Sequence, residues 1–88
     1  MTVLMDLLHS RVPDVLMALN RNGPQNAMAL GANLGIDNSF VLKLLKRLSV
    51  KGYVVRGEGQ NDWRLTDIGR VAAIGFENLN FLLETAVA

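Results

Sequence analysis

Basic side chains are concentrated in the middle of the chain. Between residues 38 and 64, six basic residues face two acidic ones, which gives this stretch a net charge of +4. The six are Lys43, Lys46, Arg47, Lys51, Arg56 and Arg64. Residues 1–37 carry a net charge of −1 and residues 65–88 a net charge of −2. A local basic excess is typical of a surface that binds phosphate, and a solvated helix face is the alternative interpretation.

The remaining polar residues give catalysis little support. His9 is the one histidine, and Asp37, Asp62 and Asp67 stand where capping and turn residues are expected. No cluster of side chains has metal-ligand spacing, and no carboxylate pair lies in an apolar setting. Trp63 could stack on a base, but in a strand it is expected to close the core. We therefore expect no enzyme, no catalytic residue, no metal and no cofactor.

Length and composition indicate one small helical domain. The chain has 88 residues, half of them apolar and few aromatic, so the core must be built from aliphatic side chains, which favours helix packing. The absence of cysteine fits a reducing compartment. No apolar run reaches the roughly 20 residues of a membrane span, and the amino terminus lacks the pattern of a signal peptide. A soluble cytoplasmic protein with no membrane partner is expected.

Two helical segments are predicted before residue 23. Residues 1–9 place apolar side chains at helical spacing. Val15, Leu16 and Leu19 form a second stripe, which Pro13 permits only if it lies in the first turn or marks a kink. The sequence leaves open whether residues 2–21 form one helix or two.

The next two helices are separated by a glycine turn. Asn26 is a candidate N-cap for a helix over residues 27–34, and Gly35 stands where a left-handed residue would end it. Gly31 costs about 1 kcal/mol within a helix, which indicates close approach of another element, expected to be the following helix. Asp37 or Asn38 would cap that second helix, which spans residues 39–51.

The helix over residues 39–51 has one apolar stripe and one mixed face. Val41, Leu44, Leu45 and Leu48 recur at the spacing of a buried stripe. Gly52 is expected to end the helix. The residues predicted for the outer surface are Ser39, Phe40, Leu42, Lys43, Lys46 and Arg47.

A hairpin and a last helix complete the chain. Residues 53–55 and 63–65 are predicted strands joined by a polar loop, and Thr66 is a candidate cap for a helix over residues 67–84. Seven apolar residues form one stripe, expected to complete the core: Ile68, Val71, Ala72, Phe76, Leu79, Leu82 and Leu83. The small residues Gly69, Ala73 and Gly75 would let a second helix lie close.

Four short segments resemble winged helix-turn-helix repressors of the MarR and IclR types. They read LGANLGI at residues 30–36, LLKRL at 44–48, KGYV at 51–54 and LTDIG at 65–69. The resemblance covers residues 12–75 and implies a mainly α fold with a small β-hairpin (α+β). It divides the chain into an N-terminal helical extension (1–11), a winged-helix core (12–66) and a C-terminal dimerisation helix (67–88).

The resemblance implies sequence-specific binding of double-stranded DNA by a small dimeric, repressor-like regulator. Its recognition helix would enter the major groove and its wing would follow the backbone. The implied DNA-binding residues are Asn38, Ser39, Phe40, Leu42, Lys43, Lys46, Arg47, Lys51, Arg56, Gln60, Asn61 and Arg64. Phe40 and Leu42 stand where polar base readers are usual. They could touch thymine methyl groups, or they could mark a winged-helix module that binds a protein partner.

A homodimer is also expected. MarR proteins carry longer flanking helices for dimerisation, so a shorter chain would use its first segment and its last helix, in a two-fold pair. The predicted interface residues are Leu4, Leu7, Leu8, Ile74, Phe76, Leu79, Phe81, Leu82 and Leu83.

Overall fold

The computed structural model describes residues 11–57 and 62–87. Its elements are α1 (Val12–Asn22), α2 (Ala27–Leu34), α3 (Asn38–Val50), β1 (Val54–Arg56), β2 (Trp63–Leu65) and α4 (Asp67–Val87). The two strands form an antiparallel hairpin. This order confirms the predicted fold, a helical domain with a winged helix-turn-helix outline. The helix predicted over residues 1–9 lies outside the described ranges.

Helix α1 begins and ends where its sequence allows. Pro13 lies in its first turn, where a missing backbone N–H costs no hydrogen bond. Val15, Leu16 and Leu19 are buried, as their spacing predicts. The helix ends at Gly23, whose φ of 81° suits glycine.

The segment between α1 and α2 pairs with the hairpin through a single β-bridge. Gln25 pairs with Trp63 in an antiparallel bridge. Its N–H donates to the Trp63 carbonyl at 3.1 Å, and the Trp63 N–H donates back at 2.7 Å. This bridge joins the segment before α2 to the wing.

The core lies between the four helices and the inner face of the hairpin. The α3 stripe of Val41, Leu44, Leu45 and Leu48 is buried as predicted. Trp63 is only 6% exposed and belongs to the same cluster, which confirms that it closes the core.

The face that α4 turns to the core differs from the predicted one. Ala73 is fully buried, with Gly69 on the same side, whereas Ile68 and Val71 are 63% and 71% exposed. A Cβ at Gly69 would lie 1.9 Å from the Tyr53 carbonyl oxygen. Helix α4 therefore lies so close to the entry of the wing that only a small residue fits there.

Three predictions for α4, on its close neighbour, its interface residues and its core-facing stripe, differ from the structure. The close neighbour of Gly69 is the backbone of Tyr53, where a second helix was expected. Phe76, predicted for the dimer interface, is partly buried and packs against the core with Ala72. The rest of the expected core stripe is exposed: Ile68, Val71, Leu79, Leu82 and Leu83.

Candidate nucleic-acid interface

A tight turn sets α3 against α2. Gly35 ends α2 with a φ of 67°, and the Ile36 N–H donates to the Gly31 carbonyl at 2.9 Å. A Cβ at Gly31 would lie 2.7 Å from the Ile36 carbonyl oxygen and 3.7 Å from the Asn38 Cα. The close approach predicted from Gly31 is therefore present, and it involves the turn as well as the first residue of α3.

Asp37 caps α3 and engages Ser39. The Ser39 N–H donates to the Asp37 carboxylate at 3.1 Å, and the Ser39 hydroxyl donates to the same oxygen. These bonds lower the pKa of Asp37, with the hydroxyl making the largest contribution. Because the Ser39 hydroxyl proton is used in the cap, the side chain can accept a hydrogen bond from a base but cannot donate one to a phosphate oxygen.

The exposed side of α3 carries cations. Lys43, Lys46 and Arg47 are exposed, and Lys51 follows at the C-cap. Helix α3 contains no acidic residue, and within residues 11–57 and 62–87 no ion pair involves these four cations. Their charge is therefore available to a polyanion.

The two apolar residues predicted for this surface differ in exposure. Phe40 is 44% exposed. Leu42 is partly buried and packs against the core cluster, which corrects its placement on the outer face. Leu42 follows Val41 directly, so it lies at the edge of the buried stripe, and the expected apolar face is reduced to Phe40.

The two described arginines of the wing lie on opposite faces of the hairpin. The strands pair Arg56 with Trp63 and Val55 with Arg64, and cross-strand partners share a face. Arg56 therefore lies on the side of buried Trp63, whereas Arg64 lies on the outer side. The predicted wing contacts Gln60 and Asn61 lie outside the described residues.

Three polar contacts that position these elements were not predicted. Arg11 donates to the Leu34 carbonyl at 2.9 Å at the end of α2, and it also pairs with Asp14 at 2.8 Å. Arg21 pairs with Glu77 at 3.0 Å and so ties α1 to α4. The first and last of these contacts join residues 23 and 56 positions apart, and no local sequence pattern connects such positions.

Thr66 joins the wing to α4. Its Oγ1 donates towards the Gly52 carbonyl at 2.6 Å, lies 3.2 Å from the Tyr53 carbonyl, and accepts from the Gly69 N–H at 3.1 Å. The predicted capping role is confirmed. In addition, the hydroxyl fixes the backbone where α3 passes into the wing.

Two other kinds of feature are absent from the described ranges. These ranges contain no group of side chains that could hold a metal ion. None of their helices combines the length and apolar character of a membrane span.

The fold and this cationic helix define a winged helix-turn-helix protein with a basic recognition helix. The sequence model of the MarR family matches residues 8–65, which is more than half of the chain. The chain belongs to the MarR family. A search of curated protein sequences gives no significant match.

Solved structures share the fold of this chain. A MarR family regulator from Neisseria meningitidis has a TM-score of 0.81 at 19% identity, over 97% of this chain and 63% of the other. A transcriptional regulator from Thermotoga maritima has a TM-score of 0.67 at 26% identity, over 99% and 68%. The Zβ domain of human DAI, which binds B- and Z-DNA, has a TM-score of 0.60 at 26% identity, over 65% and 84%.

These comparisons support the predicted class, a winged-helix DNA-binding regulator. They narrow the resemblance to the MarR family, because the IclR type finds no support. Membership of a regulator family favours binding over catalysis. The chain spans 63% of the Neisseria regulator and 68% of the Thermotoga regulator.

Proposed function

We propose that this protein is a dimeric transcription regulator that inserts α3 into the major groove of double-stranded DNA. The observation that carries the proposal is the outer face of α3, where exposed Lys43, Lys46 and Arg47 lie on a helix without acids. In this proposal Lys43 and Lys46 would reach bases, and Arg47 with Lys51 would reach phosphates. The wing would follow the adjacent backbone.

Salt dependence tests this proposal directly. Each phosphate contact should add about one unit to the slope of log affinity against log salt concentration. We expect binding to a pool of random-sequence duplex DNA at low salt, with a steep loss as salt rises. Absence of binding at low salt, or binding that ignores salt, would refute the proposal.

Charge-reversal substitutions distinguish a direct contact of α3 with DNA from the effect of the protein's net charge. Lys46→Glu should weaken binding strongly because it places a carboxylate against the groove. Arg70→Glu is the matched control, since Arg70 is exposed on α4 and the net charge changes equally. Equal effects of the two substitutions would show that the α3 face is not the binding surface.

Phe40 is proposed to contact a thymine methyl group. Its ring is 44% exposed at the start of the cationic helix, and apolar side chains recognise thymine in the major groove through this methyl group. Replacing thymidine by deoxyuridine in a selected high-affinity duplex should weaken wild-type binding and leave Phe40→Ala unaffected. Equal sensitivity of both proteins would contradict this contact.

The alternative, a protein-binding module using Phe40 and Leu42, is weakened because Leu42 packs against the core. A protein partner that tolerates Lys46→Glu and is lost on Phe40→Asp would favour this alternative.

The proposed dimer uses a seam along α4 that is exposed except at Ala72, which packs partly against the core. Ile68, Ala72, Gly75, Leu79 and Leu82 recur alternately four and three residues apart, which is the spacing of a two-helix seam. Ile68, Leu79 and Leu82 are exposed, and a Cβ at Gly75 would meet no atom within 4 Å. In an antiparallel pair that crosses near Gly75, Leu79 of one helix would lie near Ala72 of the other, and Ile68 would lie near Leu82.

Oligomeric state tests the seam. Wild-type protein should have the mass of two chains by light scattering at micromolar concentration, and Leu82→Asp the mass of one chain. Arg70→Gln is the control, because it changes the net charge by the same amount at an exposed position on the side of α4 away from the seam. A wild-type monomer would refute the dimer.

The predicted contributions of Leu4, Leu7 and Leu8 lie outside the described residues, and Ile74 and Phe81 are exposed on another side of α4.

A DNA-binding regulator must share a compartment with its DNA, and we propose that this protein is cytoplasmic. Fractionation of expressing cells, with the protein recovered away from the DNA-containing fraction, would contradict it.

A further inference from the structure

The indole ring of Trp63 supports one of the two described arginines of the wing. The Arg56 guanidinium lies over the Trp63 ring, with its central carbon 5.8 Å from the ring centroid. The two residues are cross-strand partners at the loop end of the hairpin. A tryptophan face attracts a guanidinium more strongly than other aromatic faces do, so this contact restrains the arginine.

Packing and backbone hydrogen bonds hold the Trp63 ring in place. Trp63 is 6% exposed and packs in the core cluster. Its backbone is bonded in both directions to Gln25. The loop that follows Arg56 is closed at its base, where the Gly57 N–H donates to the Asp62 carbonyl at 2.9 Å. The ring is therefore fixed relative to the helices.

Arg56 and Arg64 lie on different faces of the hairpin. The inner face of the hairpin carries Val54, which is buried, together with Trp63 and Arg56. This face packs on the core cluster, which includes the buried stripe of α3, so Arg56 lies on the face of the wing that meets the helices. Arg64 lies on the outer face, opposite Val55.

We propose that Trp63 is a positioning residue that holds Arg56 ready for a phosphate on the face of the wing that meets the helices, and that Arg64 makes no such contact. This inference rests on the proposed DNA binding. A restrained arginine loses less conformational freedom when it meets phosphate than a mobile side chain does. The tryptophan thus acts on DNA affinity without touching DNA.

A matched pair of substitutions in the wing tests the assignment. The probe is random-sequence duplex DNA at a series of salt concentrations. Arg56→Gln should lower the salt slope by about one unit, and Arg64→Gln should leave it unchanged although it removes the same charge. An equal drop for both, or a drop confined to Arg64→Gln, would overturn the proposal. Failure of wild-type protein to bind at all would instead refute the proposed function.

The positioning role has a separate test. Trp63→Phe should weaken DNA binding about two- to fivefold while leaving the salt slope unchanged, because the phosphate contact persists in a less restrained form. In an Arg56→Gln background the same substitution should have no effect on affinity. An equal loss in both backgrounds would show that Trp63 has only a structural role.

A second variant leaves the core intact. Arg56→Lys keeps the charge but loses the planar group that stacks, so it should reproduce the loss seen for Trp63→Phe with an unchanged slope. Because Trp63 is the one tryptophan of the chain, its fluorescence reports on this contact. DNA should change the emission of wild type and Arg64→Gln but not of Arg56→Gln, and a change of equal size in all three proteins would contradict the proposal.

Discussion

Replacing Gly69 with alanine should destabilise the protein, although alanine favours helices. The added Cβ would lie 1.9 Å from the carbonyl oxygen of Tyr53, 2.9 Å from its carbonyl carbon and 3.2 Å from a methyl group of Leu65. The oxygen would have to retreat by about 1.5 Å to reach ordinary van der Waals contact, which begins at 3.4 Å. It belongs to the backbone at the entry of the wing, so the wing must move with it.

The expected cost can be worked from the contacts of this oxygen. Alanine in place of glycine contributes up to about 1 kcal/mol of helix stability. Overpacking costs about 1–3 kcal/mol. The Tyr53 carbonyl also accepts from the Thr66 N–H at 3.0 Å, and losing such a bond costs about 1 kcal/mol. We expect a net loss of about 2 kcal/mol, which for a domain of this size lowers Tm by about 8–16 °C.

Thermal unfolding followed by circular dichroism measures this effect. Gly75→Ala is the matched control in the same helix, because no atom lies within 4 Å of its new Cβ. Both substitutions should be made in a Leu82→Asp background, so that contacts within one chain decide the result. Gly69→Ala should lower Tm and Gly75→Ala should raise it. A Gly69→Ala variant that unfolds at or above the parent temperature would refute the reasoning.

Two further predictions concern caps. Thr66→Val should cost about 2–3 kcal/mol, because it leaves the Gly52 carbonyl and the Gly69 N–H without their partner, whereas Thr66→Ser should retain most of the stability; equal denaturant midpoints for the two variants would contradict this. The pKa of Asp37 is lowered below 3.8 in the folded chain, so its contribution to stability is present at neutral pH and is lost as pH falls through the folded pKa. Any advantage of wild type over Asp37→Asn should therefore disappear in acid, and an advantage that persists at the lowest pH would count against the cap.

Local features of the fold could be predicted from the sequence because each depends on neighbouring residues. The buried stripe of α3 follows from helical periodicity around Leu44 and Leu45. Gly35 and Gly52 end helices with positive φ, which a glycine adopts without strain. The caps at Asn26 and Thr66 follow from side chains that satisfy free backbone N–H groups.

The sequence could not predict which face of α4 meets the core. Its apolar residues outnumber the positions on one face, so periodicity allows several rotations of the helix. The contact between Gly69 and Tyr53 selects one of them, and it leaves Ile68 and Val71 exposed. That choice depends on residues far apart in sequence, which only the tertiary structure brings together.

The candidate interface likewise has some features that the sequence determines and others that depend on the tertiary structure. The sequence by itself determined the cations of α3, their concentration between residues 38 and 64, and the helix that carries them. Only the tertiary structure decided that Leu42 packs inward, that Arg56 lies over Trp63, and that Arg64 lies on the opposite face. Strand register and packing fix those orientations, and both are set by contacts between elements rather than by the spacing of residues along the chain.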